Sequence, residues 1–322
     1  MRLRSAAVFA VLAAFTSIAP AQQATGYPSK PVRIVVPFPP GGATDVLART
    51  LAPGMNAELG QPIIVDNRPG AAGIIGTQAV AKEKPDGYTL LLGADSFFAV
   101  LPHLQNTGYD PFKDFVPVAP LTDLAFFLAV HASLGVRTLS ELIALARAQP
   151  GKLSYASPGV ATPQHLAGEL FAQIAAVQWV HVPYKGGAPA VNDFIAGQVP
   201  VMFGNLANFR PHIAGGKIRL LGIADPQRFG ALPEVPAIAE TLSGFTISGW
   251  FGVFAPAGTG PETVARIGAA TDKALRSPEV LQRLDALGFR PLDIDRAQFA
   301  ARIRSDYERM GALIRSRGIK GN

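Results

Sequence analysis

The sequence predicts two α/β domains with a ligand cleft between them. Strands rich in β-branched residues alternate with amphipathic helices along most of the chain, the pattern of a parallel sheet covered by helices. A short turn, Pro40-Gly41-Gly42-Ala43-Thr44, returns 118 residues later as Pro158-Gly159-Val160-Ala161-Thr162. Both read PGxAT, and each follows a predicted strand and precedes a predicted helix. The last helices come after the strands have ended, so they must pack back on the first unit and make it discontinuous. A chain of 322 residues has room for two such units at roughly 100–200 residues each.

The first 21 residues are set apart from the fold. Arg2 and Arg4 precede an apolar run at 6–18, and Ala19-Pro20-Ala21 is a small-x-small site, so a secretory signal peptide cut after Ala21 is expected. The apolar run is shorter than the roughly 20 residues that span a bilayer. Residues 32–38 then read as a buried strand closed by Pro39-Pro40-Gly41-Gly42. A helix is expected over 45–59, with Leu47, Leu51, Met55 and Leu59 on one face and Gly60 as its stop. Strands at 62–65 and 88–93 flank a glycine-rich turn at 70–76 and a helix at 74–82. A loop-like stretch at 102–120 follows.

The second unit repeats the pattern. Strands are expected at 125–130, 153–157, 180–184, 199–203 and 218–224, and helices at 139–148, 163–175 and 188–196. After a loop-rich return, a strand at 247–254 precedes helices at 262–276, 278–287 and 296–317. The expected boundaries are 22–123 plus 249–322 for the first domain and 124–248 for the second. Domain junctions of this kind are natural ligand clefts.

Composition narrows the chemistry. Hydrophobic residues make up 48% and charged residues 16%, which excludes a disordered chain. The absence of cysteine excludes disulfides, thiolate metal sites, a cysteine nucleophile and an N-terminal lipid anchor. The net charge of +6 falls to +4 without Arg2 and Arg4, a mild excess that suits small anions. Much of it sits on and after the last helix, as a solvated face rather than a nucleic-acid patch. There is no GxSxG elbow, P-loop or GxGxxG fingerprint. His165 and Glu169 are spaced i,i+4, but one such pair is a surface contact rather than a metal site. Neither metal nor cofactor is expected.

The two PGxAT turns carry the functional expectation. Each aims free backbone N–H groups from a helix N-terminus, where the helix dipole also favours an anion. Glycine lets a ligand approach the backbone closely, and Thr162 with Pro163 has the form of an N-cap followed by N1 proline. Facing one cleft, the turns would grip a carboxylate from both sides. The candidate ligand-binding residues are Phe38, Gly41, Gly42, Ala43, Thr44, Asp45, Ser96, Ser157, Gly159, Ala161, Thr162 and Asn205. For Asp45 a helix-capping role stands beside a place on the cleft floor. Phe38 and Trp250 suit either cleft walls or core.

Seven stretches resemble the Bug family, the extracytoplasmic solute receptors of tripartite tricarboxylate transporters. They are RIVVPFPPGGATD at 33–45, VDNRPGA at 65–71, PDGYTL at 85–90, PGKL at 150–153, HLAGEL at 165–170, HVPYKG at 181–186 and WFGVFAPAG at 250–258. The resemblance implies a type 2 periplasmic-binding-protein fold, with two α/β domains that hinge over a ligand. It implies a periplasmic, monomeric receptor that captures a small organic carboxylate and passes it to the membrane permease subunits of a tripartite tricarboxylate transporter, or to a sensor protein. In that family the two βα turns hold the ligand, here 41–45 and 157–162. Gly204-Asn205 stands where the family often has Asp, and Val160-Ala161 replaces smaller or hydroxyl-bearing residues. Both changes remove polar groups and favour a plain carboxylate over an amino acid. The competing readings are a secreted α/β hydrolase-like enzyme using the same cleft and an effector domain of a transcription regulator. The first lacks a motif, and the second lacks a helix-turn-helix at the N-terminus.

Overall fold

The computed structural model describes residues 26–160, 162–286 and 288–320. The expected signal peptide and Ala161 lie outside the described residues. The β-branched run forms β1 (Val32–Val36), and Ala43–Leu59 forms α1, with Leu47, Leu51, Met55 and Leu59 buried as their spacing predicts. The helix begins at Ala43 rather than at Asp45, because Gly42 in an extended conformation is the N-cap and Gly60 in the left-handed region is the stop. Next come β2 (Ile63–Asn67), α2 (Ile74–Ala81), β3 (Thr89–Ala94), a π-helical turn at Ser96–Val100, α3 (Leu101–Leu104) and β4 (Phe115–Leu124).

The chain then passes through the single residue Ala125 into β5 (Phe126–His131). There follow α4 (Leu139–Ala148), β6 (Ser154–Ser157), α5 (Pro163–Ala175), β7 (Val180–Pro183), α6 (Gly187–Ile195), β8 (Val201–Asn205), α7 (Leu206–Ile213) and β9 (Ile218–Ile223). It returns through β10 (Gly249–Pro256), α8 (Pro261–Leu275), α9 (Pro278–Ala286), β11 (Phe289–Pro291) and α10 (Arg296–Arg317).

Two sheets result. One has the order β11-β4-β10-β3-β1-β2 and the other β7-β6-β8-β5-β9. The expectation of purely parallel sheets is corrected: both are mixed. Within each, three strands are parallel, β2-β1-β3 and β7-β6-β8, and the rest are added antiparallel. The physical reason is the crossing between sheets. β4, which runs with the parallel set, continues straight into β5, and β10 returns beside β4, pairing Gly249 with Leu124, so the two entering strands, β5 and β10, run against the parallel sets. β1 and β6 hold the same place in their sheets, each between two parallel neighbours. The two PGxAT turns therefore leave equivalent strand ends.

The first six residues of β4 lie in the segment at 102–120 whose Pro, Gly, Asn and Asp content suggested a loop. Its pairing with β10 slips at two bulges, beside Pro120 and Pro117. Those irregularities accommodate residues that lack an N–H to donate. The first core covers β1, β3, β10, α1 and α8, where Gly54 meets Ala274 so closely that an added Cβ would lie 2.7 Å from the alanine Cβ. The long α10 joins both cores. Phe299 and Ile303 pack in the first, while Met310, Leu313 and Ile314 pack with Leu166 and Phe171 of the second.

Candidate functional site

The ends of β1, β3 and β6 open on one cleft of about 350 Å³ between the two sheets. One side is formed by Phe38, Thr44, Ala72, Ala94, Asp95, Ser96 and Leu101, with Phe251 of β10. The other is formed by Leu124, Phe126, Pro158, Val160, Thr162, Pro163 and Gln164. The walls are mostly aliphatic and aromatic. The polar groups come from the starts of α1 and α5 and from the end of β3, where ligands bind in open α/β sheets.

Four of the candidate residues line this cleft: Phe38, Thr44, Ser96 and Thr162. Gly41, Gly42, Asp45, Ser157, Gly159 and Asn205 are not among its lining. Ala43 starts α1 beside Thr44, and Ala161 falls outside the described residues. Gly41 and Asp45 instead lock the first turn. The Gly41 N–H donates to Asp45 Oδ2 at 2.9 Å, and the same carboxylate accepts from Arg49 Nε at 3.0 Å and Asn67 Nδ2 at 3.0 Å. Burial alone would raise the Asp45 pKa, but the hydrogen bonds from Arg49, Gly41 and Asn67 hold it below its ordinary value.

Ser157 locks the second turn in the same way. It is fully buried, donates to the Gly159 carbonyl at 2.9 Å, and shares a 2.6 Å hydrogen bond with His181 Nε2. His181 stacks on His165 with ring centroids 3.8 Å apart. Burial, then the neighbouring His165, push the His181 pKa down to about 4, so the ring is neutral at physiological pH. Thr162 caps α5, accepting the His165 N–H at 3.3 Å and donating to the Gly159 carbonyl at 2.8 Å. Asn205 caps α7 through its backbone alone, and its Oδ1 is buried without a hydrogen-bond partner.

Trp250 belongs to the core. It is fully buried, and its Nε1 donates to Asp306 Oδ2 at 3.0 Å. His165 Nε2 and Glu169 Oε1 are 3.9 Å apart, and Glu169 also accepts from Tyr155 and Arg317. Among the described residues no group of three or more His, Asp or Glu side chains is placed to hold a metal, and no helix is long and apolar enough to cross a membrane.

Besides apolar wall residues such as Leu124, Phe126 and Phe251, two lining features with consequences for the site were missed in the sequence. Ala72 enters from the glycine-rich turn after β2, where Ala71 and Ala72 both have positive φ, of 46° and 54°. Non-glycine residues seldom hold that conformation unless their surroundings impose it. Asp95 lies at the carboxyl end of β3, next to Ser96. Burial, then the nearby Asp306, push its pKa up to about 7. The strand end itself was the available signal, since it had already pointed to Ser96.

A model of the tripartite tricarboxylate transporter family receptor matches residues 47–319. Protein BugT of Bordetella pertussis is 37% identical over 320 residues, covering 98% of each chain. Among solved structures, Rpa4515 of R. palustris with adipate is 33% identical with a TM-score of 0.78, over 91% of this chain and 99% of that one. MatC of Rhodopseudomonas palustris with bound malate is 32% identical with a TM-score of 0.73, over 89% of this chain and all of that one. The two mixed α/β sheets are the fold of these periplasmic solute-binding proteins. Family match, relatives and fold agree, and the chain belongs to the Bug-type receptors of the tripartite tricarboxylate transporter family.

Proposed function

We propose that this protein is a periplasmic receptor that captures a small organic carboxylate in the cleft and presents it to the membrane subunits of a tripartite tricarboxylate transporter. The observation that carries the reading is the convergence of the α1 and α5 N-termini on one cleft, through Thr44 and Thr162. Each terminus offers N–H donors without intrahelical acceptors and the positive end of a helix dipole. The adipate and malate bound to the two R. palustris relatives support a carboxylate as the ligand. The cleft size suits a small molecule.

In this reading residues 22–123 and 249–322 form one domain and 124–248 the other. They close over the ligand by a hinge at the paired crossings near Ala125 and Gly249. The chain is exported by the N-terminal signal peptide, cut after Ala21, and acts as a monomer. It binds without turnover. The Ser157–His181 pair is the nearest approach to a nucleophile and base, but Ser157 is fully buried and spends its hydroxyl on the Gly159 carbonyl.

Isothermal titration of residues 22–322, refolded to strip carried-over ligand, tests the reading with mono-, di- and tricarboxylates. Saturable 1:1 binding of an acid, recovered chemically unchanged, is expected. Heat-silent titrations across the panel, or consumption of the acid, would contradict it.

A further inference from the structure

A receptor for anions would be expected to line its cleft with cations, and this one does the opposite. Asp95 is the one titratable side chain among the described residues that line the cleft, and no Lys, Arg or His joins it. A carboxylate ligand entering here would meet a second carboxylate inside mostly apolar walls. Two like charges in such a setting cannot both remain ionised without a large cost.

Among the described residues Asp95 has no ion-pair partner, and Arg302 acts on it only from a distance. Its other side faces a water-sized cavity of about 10 Å³ that it shares with Asp306, Arg309 and Ser248. The charged groups directed at it all come from α10: Asp306, Arg302 and Arg309. The two arginines are engaged elsewhere. Arg302 reaches Asp123 Oδ1 at 2.8 Å, Asp306 Oδ2 at 3.6 Å and the Ser248 hydroxyl at 2.9 Å. Arg309 binds Asp306 Oδ1 at 2.7 Å and donates to the Thr246 carbonyl. Among the described residues no basic group lies within ion-pair distance of Asp95, whose carboxylate takes a hydrogen bond from the Ser96 backbone. Burial, then the Asp306 charge, oppose its ionisation, and the Ser96 backbone hydrogen bond and the Arg302 charge offset them only in part.

We propose that Asp95 is the specificity-determining group of the cleft and enters the complex as the neutral acid, donating its proton to a ligand oxygen, so that capture of a carboxylate takes up one proton wherever Asp95 is ionised in the free receptor. This rests on the carboxylate-receptor reading above and deepens it. The helix N-termini hold the anionic end, and Asp95 supplies a donor that exists only while its proton is on. An ammonium-bearing ligand would require the reverse, an ionised Asp95. The sign follows from linkage: the complex holds the proton, so affinity is full below the Asp95 pKa of about 7 and falls tenfold per pH unit above it.

Two readouts test this. The first needs no ligand. In protein labelled with 13C at the aspartate carboxyl groups, the resonance missing from Asp95→Asn should titrate with a midpoint near 7, and a midpoint near 4 would overturn the proposal. The second is affinity at pH 6.5 and pH 8.5 for adipate, malate, succinate and benzoate, with aspartate as the amino-acid probe. Wild-type protein should bind its acid about 25-fold more weakly at the higher pH. In Asp95→Asn, which keeps a donor that cannot titrate, the dependence should shrink below about threefold. Equal wild-type affinity at both values, or aspartate binding that Asp95→Asn abolishes, would overturn it. If no acid binds at either pH, the receptor reading falls and takes the proposal with it. A midpoint near 4 with acid binding intact removes the proposal alone.

Discussion

Ser157 Oγ and His181 Nε2 lie 2.6 Å apart and tie the second PGxAT turn to the neighbouring strand β7. The turn is thus held by an imidazole that must be neutral to pack against His165. Its pKa of about 4 lies below the unfolded value near 6.5. The stability it confers is complete above pH 6.5 and is lost as pH falls from there through 4. In His181→Phe, which keeps the ring but neither titrates nor bonds Ser157, melting should be less pH-dependent. Wild-type protein should exceed the variant by about 1 kcal/mol at pH 7.5, with the margin shrinking below pH 6.5. Thermal melts across that range check it; a constant margin contradicts it.

The first turn is held by a carboxylate instead. Asp45 is buried and takes hydrogen bonds from Gly41, Arg49 and Asn67. Asp45→Ala leaves the Gly41 and Asn67 donors without their acceptor and should cost about 2–3 kcal/mol, measured by urea unfolding. The Asp45 pKa is lowered, so its contribution is present above the unfolded carboxylate range and disappears as pH falls below about 4. The variant should also bind its acid at least tenfold more weakly, because the α1 N-terminus loses its fixed direction.

Arg302 ties the crossing between the sheets together. It pairs with Asp123 at the end of β4 and bonds Ser248 just before β10, on the two chains that cross. The Asp123 contact is close but not aligned as a hydrogen bond. Arg302→Met keeps much of the side-chain volume but strands the buried Asp123. We expect a loss of about 3–5 kcal/mol, the usual cost of leaving one partner of a buried pair, read by urea unfolding. A loss under about 1 kcal/mol would show that Arg290, 3.3 Å from Asp123, suffices.

Much of this architecture was legible because it repeats a local rule. The β-branched runs, the glycine stops and the fourfold leucine spacing of α1 each specify an element from a few adjacent residues, and α10 appears at the bounds its pattern gave. β4 was not legible, since its prolines are accommodated where β4 itself bulges against β10, at Leu121 and Val118. Strand direction was not legible either, because it depends on where the chain crosses between sheets. In the site, the two turns stand out as an internal near-repeat, yet half of their polar groups serve the turns themselves. Gly41, Asp45 and Ser157 are spent on bracing. Sequence marks a turn as unusual without saying which of its atoms face outward. Asp95 escaped for a different reason: the strand end pointed to its neighbour Ser96, but the setting that makes Asp95 matter comes from α10, more than two hundred residues later.

The proposed receptor takes its ligand in the one cleft between the two turns. Val160 lines it from the second turn and is only partly buried, so Val160→Trp should fill it without disturbing a core. The decisive measurement is a thermal-shift panel of mono-, di- and tricarboxylates on wild-type and Val160→Trp protein, both refolded free of ligand. At 100 times its Kd, an acid should stabilise wild-type protein by about 2.7 kcal/mol, several degrees in melting temperature. That shift is expected in wild-type protein and absent in Val160→Trp, with equal melting of the two ligand-free proteins. An equal shift in both, or no shift with any acid, would contradict it.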